Sequence, residues 1–330
     1  MKIVALEEHF CLPEIHAAWR ALPPERRDLV LDLGERNPID RRLQEFGQSR
    51  IDDMDRMGVD IQVLSLTTPG VQAFEPDAAI AFARASNAAA AAAIAAYPTR
   101  FQAFATLPTP ASAADSVAEL KHCVQDLGFK GALVNGRTLG RNLDHPDFLP
   151  IFAAAAELRV PIYIHPQIPQ RAVRDAYYSG LGEPFDTHFA AGGYGWHVET
   201  GIQAVRLILS GLFDRLPDLQ IILGHWGELA LHFTQRLDIL TMLPPKDRLA
   251  RSISEYFRSN FYVTPSGLFH PGSLERTIEL IGVDRVMFSV DYPYIPMAPG
   301  QARQFFADAA LSEVDKQKIA HGNWRRLTGS

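Results

Sequence analysis

Short apolar runs rich in β-branched residues recur along the chain and alternate with stretches of helical spacing. The runs predict strands at 2–9 (KIVALEEH), 60–66 (DIQVLSL), 101–107 (FQAFATL), 130–135 (KGALVN), 161–165 (PIYIH), 220–225 (QIILGH), 260–265 (NFYVTP) and 285–291 (RVMFSVD). Apolar positions at helical period predict helices near 41–57, 75–96, 112–127, 147–158, 198–215, 228–242, 273–281, 299–309 and 312–327. Strand and helix alternate eight times with no linker-like break in composition. That pattern predicts an α/β fold, a closed (β/α)8 TIM barrel forming a single domain over residues 1–330. A doubly wound open sheet is the other α/β solution, but no GxGxxG follows an early strand.

Two stretches exceed the minimal repeat. Residues 11–40 are rich in Pro, Arg and Asp, and residues 166–197 are rich in aromatics and glycine. Both are expected to be long loop insertions, after strands 1 and 5, and both leave strand C-terminal ends, where such barrels place their sites.

Composition narrows the partners. A formal net charge of -6 and the lack of any Lys/Arg block argue against nucleic acid or a polybasic membrane contact. The longest apolar stretch, AAAAAAIAAY at 88–97, is about half of a membrane span. Two cysteines, Cys11 and Cys123, make no disulfide framework and no CxxC knuckle. Glu7 and Glu8 interrupt the apolar start before a secretory cleavage site could follow. The expectation is a soluble cytoplasmic protein with a small-molecule partner.

The polar residues sit at strand ends. The first strand ends in Glu7 and His9, which alternation places on one face with Glu8 on the other; the fifth ends in His165, the sixth in His225 and the eighth in Asp291. In a barrel these ends meet on one face. Imidazoles and carboxylates together suit a divalent metal of borderline softness, Zn²⁺ most readily, with Mn²⁺ or Fe²⁺ as alternatives. Each residue taken alone reads as ordinary: a strand-end histidine satisfied structurally, an Asp starting a turn. Their joint position does not.

At these residues the chain resembles a known family. LEEHF, YIHP, ILGHWGE and MFSVDYP, in this order, look like the decarboxylase branch of the amidohydrolase superfamily (amidohydrolase-related, or amidohydrolase 2), which includes the γ-resorcylate and 2,3-dihydroxybenzoate decarboxylases. GVDIQVLSLTTPGVQAF, LGFKGALVNG and AVRLILSGLFDRLP extend the likeness over essentially the whole chain. The resemblance implies one divalent metal ion, Zn²⁺ or Mn²⁺, held by Glu7, His9, His165 and Asp291. It implies that His225 and Glu228 assist proton transfer beside the substrate, that Arg236 holds the anionic substrate, and that the enzyme is a homo-oligomer, dimer or tetramer. Hydrolytic members carry His-x-His on the first strand and, when binuclear, a lysine at the end of the fourth. Here the first is Glu-x-His, and Lys130 lies at the wrong end of its strand.

The implied reaction is reversible, non-oxidative decarboxylation of an ortho-hydroxylated aromatic acid such as a dihydroxybenzoate, giving CO₂, with a protonated Asp291 as the acid. The alternative on the same barrel is hydrolysis of a lactone or amide; a catalytically silent scaffold would lack the metal constellation. Trp196, Tyr194, Tyr294 and Phe10 are the aromatic residues expected to recognise the ring, Trp196 and Tyr294 foremost. His188 and His197 are expected to be solvated loop histidines, and His16, His122, His145, His232, His270 and His321 structural. Ser266, in VTPSG, has no GxSxG elbow and is not expected to be a nucleophile.

Overall fold

The computed structural model describes residues 1–32, 37–243 and 249–329. Its strands are β1 (Val4–Phe10), β2 (Ile61–Leu66), β3 (Phe101–Ala103), β4 (Ala105–Thr106), β5 (Ala132–Asn135), β6 (Ile162–His165), β7 (Ile221–Leu223) and β8 (Phe261–Val263). Every ladder is parallel, in the orders β1-β2-β3 and β4-β5-β6-β7-β8. Helices fill the connections, as parallel pairing demands.

The expected third strand is split at Phe104, whose N–H turns to Leu64 O at 2.9 Å. The expected eighth strand, 285–291, forms no regular ladder; it touches β8 through a bridge between Val263 and Val286 and β1 through Leu6 N to Phe288 O at 3.0 Å. The reason lies in side chains that take over its backbone. Val290 N–H donates to Glu8 Oε1 at 2.8 Å, and Ser289 Oγ accepts from Ser266 N–H at 2.9 Å.

Alternation sorts the strand residues into two cores. Outward positions such as Ala5, Phe10, Leu64 and Ile164 join the helices, while Val4, Leu6, Ile61, Val63, Phe104, Leu133, Tyr163, Ile222, Tyr262 and Met287 form an inner cluster. Trp324, from helix Asn323–Thr328, completes the inner cluster, with its Nε1–H on Gln102 Oε1 at 2.8 Å.

Neither long excursion is a plain loop. The first carries helix Pro13–Ala21; its residues 33–36 lie outside the described residues. The second carries helices Arg171–Tyr177 and Phe185–Ala190. The alanine-rich helix Pro76–Ala96 is longer than the apolar run suggested, long and apolar enough by composition to cross a membrane. Here Ala79, Ala83, Ser86, Asn87, Ala90 and Ala93 are buried, and Asn87 Nδ2 donates to Thr106 O at 3.0 Å and Glu119 Oε1 at 2.7 Å. A polar anchor on that face suits a helix packed on a sheet.

Beneath the end of β1 lies a buried polar layer. Arg50 donates to Gln62 Oε1 at 2.7 Å and to His9 O at 2.9 Å, Gln62 donates to Glu8 Oε2 at 3.1 Å, and the guanidinium stacks on Tyr292. Burial pushes the Glu8 carboxyl up to about 8, against the opposing pull of Val290 N–H and Arg50. A carboxyl raised in the fold favours folding fully below its unfolded value of 4.5 and loses that contribution as pH climbs through 8. Urea unfolding of metal-free protein should therefore show stability falling between these limits, by on the order of 5 kcal/mol at most. Glu8→Gln should flatten that slope.

Candidate metal centre

Strict alternation would send Glu7 outward, because Leu6 already faces the inner core. One extra residue in β1 corrects this: Ala5 pairs with Gln62 and Glu8 with Leu64, so three steps on β1 match two on β2. Glu7 carries the irregularity at φ 104°. Leu6, Glu7 and His9 then all face inward, and Glu8 and Phe10 outward.

Four side chains converge above the inner apolar cluster. Glu7 Oε1 lies 3.4 Å from His165 Nε2, and His9 Nε2 lies 3.4 Å from Asp291 Oδ1. One ligand atom from each of the four lies within 4.8 Å of the others. Glu7 Oε1 and His9 Nε2 are buried with no hydrogen-bond partner, a costly arrangement unless a cation takes their lone pairs. The atoms behind them are occupied. Tyr163 OH donates to Glu7 Oε2 at 2.5 Å, Ser266 Oγ donates to the same oxygen, and His9 Nδ1 meets Ser65 Oγ at 3.1 Å. His165 Nδ1 faces Pro166 O at 3.0 Å; a carbonyl only accepts, so Nδ1 carries the hydrogen and Nε2 presents its lone pair to the cluster. Burial, then neighbouring His9, holds His165 well below the usual imidazole range and keeps it neutral, as a ligand must be. Two imidazoles and two carboxylates fit a divalent cation of the Zn²⁺ or Mn²⁺ kind.

A second cluster stands beside the first. His225 Nδ1 and His197 Nδ1 donate to the two oxygens of Glu228, each at 2.8 Å, and the two rings lie 4.5 Å apart. His225 Nε2 points at Asp291 Oδ2, 3.9 Å away. Burial opposes charge on His225, but Glu228 and Glu7 outweigh it and lift its pKa well above the ordinary value. Burial would likewise raise Glu228, but His225 and His197 hold it at about 2. Asp291 is also held at about 2: its burial is outweighed by the His225 and His9 rings.

Tight backbone fixes both clusters. Among the described residues nine non-glycine positions have positive φ, and seven are Glu7, His225, Trp226, Glu228, Leu229, Ser266 and Asp291. Strain of this kind persists only where surrounding contacts enforce it. Ser266 is one such contact, donating to Glu7 and accepting from His225 N–H at 3.0 Å, so it positions both groups.

The other expected residues divide. Tyr294 sets its ring 5.8 Å from His9 and its OH 2.8 Å from Thr67 Oγ1. Trp196 is half-buried with a buried, unpartnered Nε1. Tyr194 is largely exposed and stacks on Phe189. Phe10 is not at the mouth: the phase of β1 turns it outward into the helix-side core against Phe46. Arg236 is exposed on the short helix Thr234–Leu237 and makes no contact with either cluster. His197 is no solvated loop residue; it opens helix Gly195–Leu209 and completes the Glu228 pair.

The matched family is Amidohydrolase, over residues 13–329, and the chain belongs to it. It is 37% identical to the γ-resorcylate decarboxylase of Rhizobium sp. (strain MTP-10005), over 98% of this chain and 97% of that protein. Among solved structures it resembles the dihydroxybenzoic acid decarboxylase of Polaromonas sp. JS666 with bound manganese and the inhibitor 2-nitroresorcinol, at 34% identity and a TM-score of 0.85 over 99% of this chain and 97% of that one. It also resembles the 5-carboxyvanillate decarboxylase of Sphingomonas paucimobilis, at 33% identity and a TM-score of 0.90 over 99% of both chains.

Gly224 tests the geometry. A Cβ there would lie 2.6 Å from Ser266 Oγ and 3.0 Å from Glu7 Oε2, inside the hydrogen bonds that aim Glu7. Gly224→Ala should leave a folded protein whose metal affinity, by competition with a chelator, falls about 10–100-fold, the usual cost of disturbing an outer-shell partner.

Proposed function

We propose that this protein is a metal-dependent carboxy-lyase that removes CO₂, reversibly and without oxidation, from an ortho-hydroxylated aromatic acid such as a dihydroxybenzoate. The observation that carries the reading is the convergence of Glu7, His9, His165 and Asp291 with two buried, unpartnered ligand atoms, beside a histidine that holds a proton. The decarboxylases to which the chain is similar over nearly its full length support it.

Glu7, His9, His165 and Asp291 would hold one divalent ion, Zn²⁺ or Mn²⁺; the bound manganese of the Polaromonas relative favours Mn²⁺. A cation there supplies Lewis-acid polarisation of the substrate carboxylate and the adjacent phenolic oxygen. Asp291 takes a proton from His225 and passes it to the ring carbon that bears the carboxylate. The C–C bond then breaks, its electron pair restores the aromatic ring, and CO₂ departs. Glu228, an ionised carboxylate braced by His197, keeps the His225 ring aimed and favours its protonated form, which is restored from solvent after each turnover. Trp196 and Tyr294 flank the ring.

The supporting frame is a closed (β/α)8 barrel, one domain over residues 1–330, with insertions after strands 1 and 5. Backbone bonds from segment 286–292 to both β1 and β8, and an inner cluster drawn from every strand position, support closure. Homo-oligomerisation is proposed through the exposed face of Phe233, Ile239, Leu240, Met242 and Leu243. Arg236 stands on that face, free to reach an anion held by a neighbouring copy. Two free, buried thiols suit a cytoplasmic setting.

Headspace CO₂ measured over metal-loaded protein with 2,6-dihydroxybenzoate and a panel of ortho-hydroxybenzoates tests the reading. Release is expected, falling about 10²–10⁴-fold in Asp291→Asn and in His225→Asn, the latter with unchanged metal content. No gas from any acid, with stoichiometric metal and turnover of a lactone or amide, would reassign the site to hydrolysis.

A further inference from the structure

A second polar cavity lies at the same end of the strands, outside the two clusters. It holds about 380 Å³ and is floored by the turns that leave β2, β5 and β6. Five of its sixteen lining residues are arginines, in a protein whose overall charge is negative. Two of them define it. Arg137 follows β5, is 6% exposed, and is fixed from three sides: a salt bridge to Glu199, Nη2–H to Ile168 O at 2.8 Å, and a reciprocal pair of backbone bonds with Gln167 at 2.9 and 3.1 Å. Its Nε–H is nonetheless buried without a partner. Arg174, on helix Arg171–Tyr177, also lines the cavity with a buried, unpartnered Nε–H.

The two guanidinium groups repel. Burial and then Arg174 bring Arg137 down to about 10. Like charges brought together in a cavity, each with an N–H donor left over, are what a planar oxyanion satisfies, since its oxygens accept from both forks at once. Glu25 and Asp28 also line the cavity, and Asp28 attracts Arg174, but neither Nε–H has an acceptor.

From this geometry we infer that the cavity between Arg137 and Arg174 is a second anion site, which takes a small carboxylate or bicarbonate-type oxyanion. None of the residues lining the cavity belongs to either cluster. An organic carboxylate and inorganic bicarbonate share the required chemistry, and the first of these would be an acid waiting at the mouth, the second a co-substrate of the carboxylation direction.

4-Bromobenzoate, a planar carboxylate, is the direct probe. Crystals of metal-loaded protein soaked in 4-bromobenzoate and recorded at the bromine edge should show an anomalous peak in the cavity beside Arg137 and Arg174, absent in Arg174→Gln. Arg174 is only partly buried, so the variant is expected to fold, and Arg174→Lys should retain the peak at reduced height. Calorimetric titration then separates the sources: Arg174→Gln should weaken either benzoate or bicarbonate by about tenfold, the worth of one charge-assisted hydrogen bond. No peak in the wild type, or a peak that persists in Arg174→Gln, would overturn the site. Neither result depends on decarboxylation, so the activity assay and this one fail separately.

Discussion

One extra residue in the first strand governs the interior. Without the bulge at Glu7, the side-chain period of two would carry Glu7 away from the face that Leu6 occupies, and His9 with it. The bulge shifts the phase, so an apolar layer ends and a polar layer begins within a single residue step. The same shift turns Glu8 outward, where its carboxyl reaches the Val290 N–H and pulls in the segment that delivers Asp291. Three of the four converging ligands are thereby placed by one local irregularity; only His165 arrives on a regular strand.

What the sequence disclosed and what it concealed divide along physical lines. Strand ends are legible because a hydrophobic run that stops at a histidine or carboxylate is unusual, and Glu7, His9, His165, His225 and Asp291 all carry that mark. The α/β alternation is equally plain. The partnership of His197 with Glu228 was concealed because it joins the start of one helix to a turn 31 positions later, with no shared periodicity. Phe10 stands next to the ligand His9 in the sequence, but it shares the phase of Glu8 and turns outward with it. The last strand position reads as a strand in composition, yet its Val290 N–H goes to the Glu8 side chain, and no propensity reports that. Arg236 stands exposed on the short helix Thr234–Leu237, away from both clusters, and its spacing from His225 in the sequence does not report that.

The two clusters divide the electrostatic task. Around the four ligands, burial and mutual repulsion keep lone pairs exposed to a common point. Around Glu228, two imidazoles are tied to one carboxylate, and charge is retained on His225. Asp291 belongs to both, 3.4 Å from His9 and 3.9 Å from His225. A carboxylate in that position feels any change in either cluster, which suits a group that must exchange a proton while its surroundings stay rigid.

Trp324 closes the apolar layer beneath this site, packed edge-to-face against Phe104 and bonded to Gln102. The inner layer on which Glu7 and His9 rest is therefore not complete until a residue near the far end of the chain has docked. During synthesis the first strand emerges early and Trp324 more than three hundred residues afterwards, so a fragment that carries Glu7 and His9 but stops short of Trp324 lacks part of the floor on which they rest.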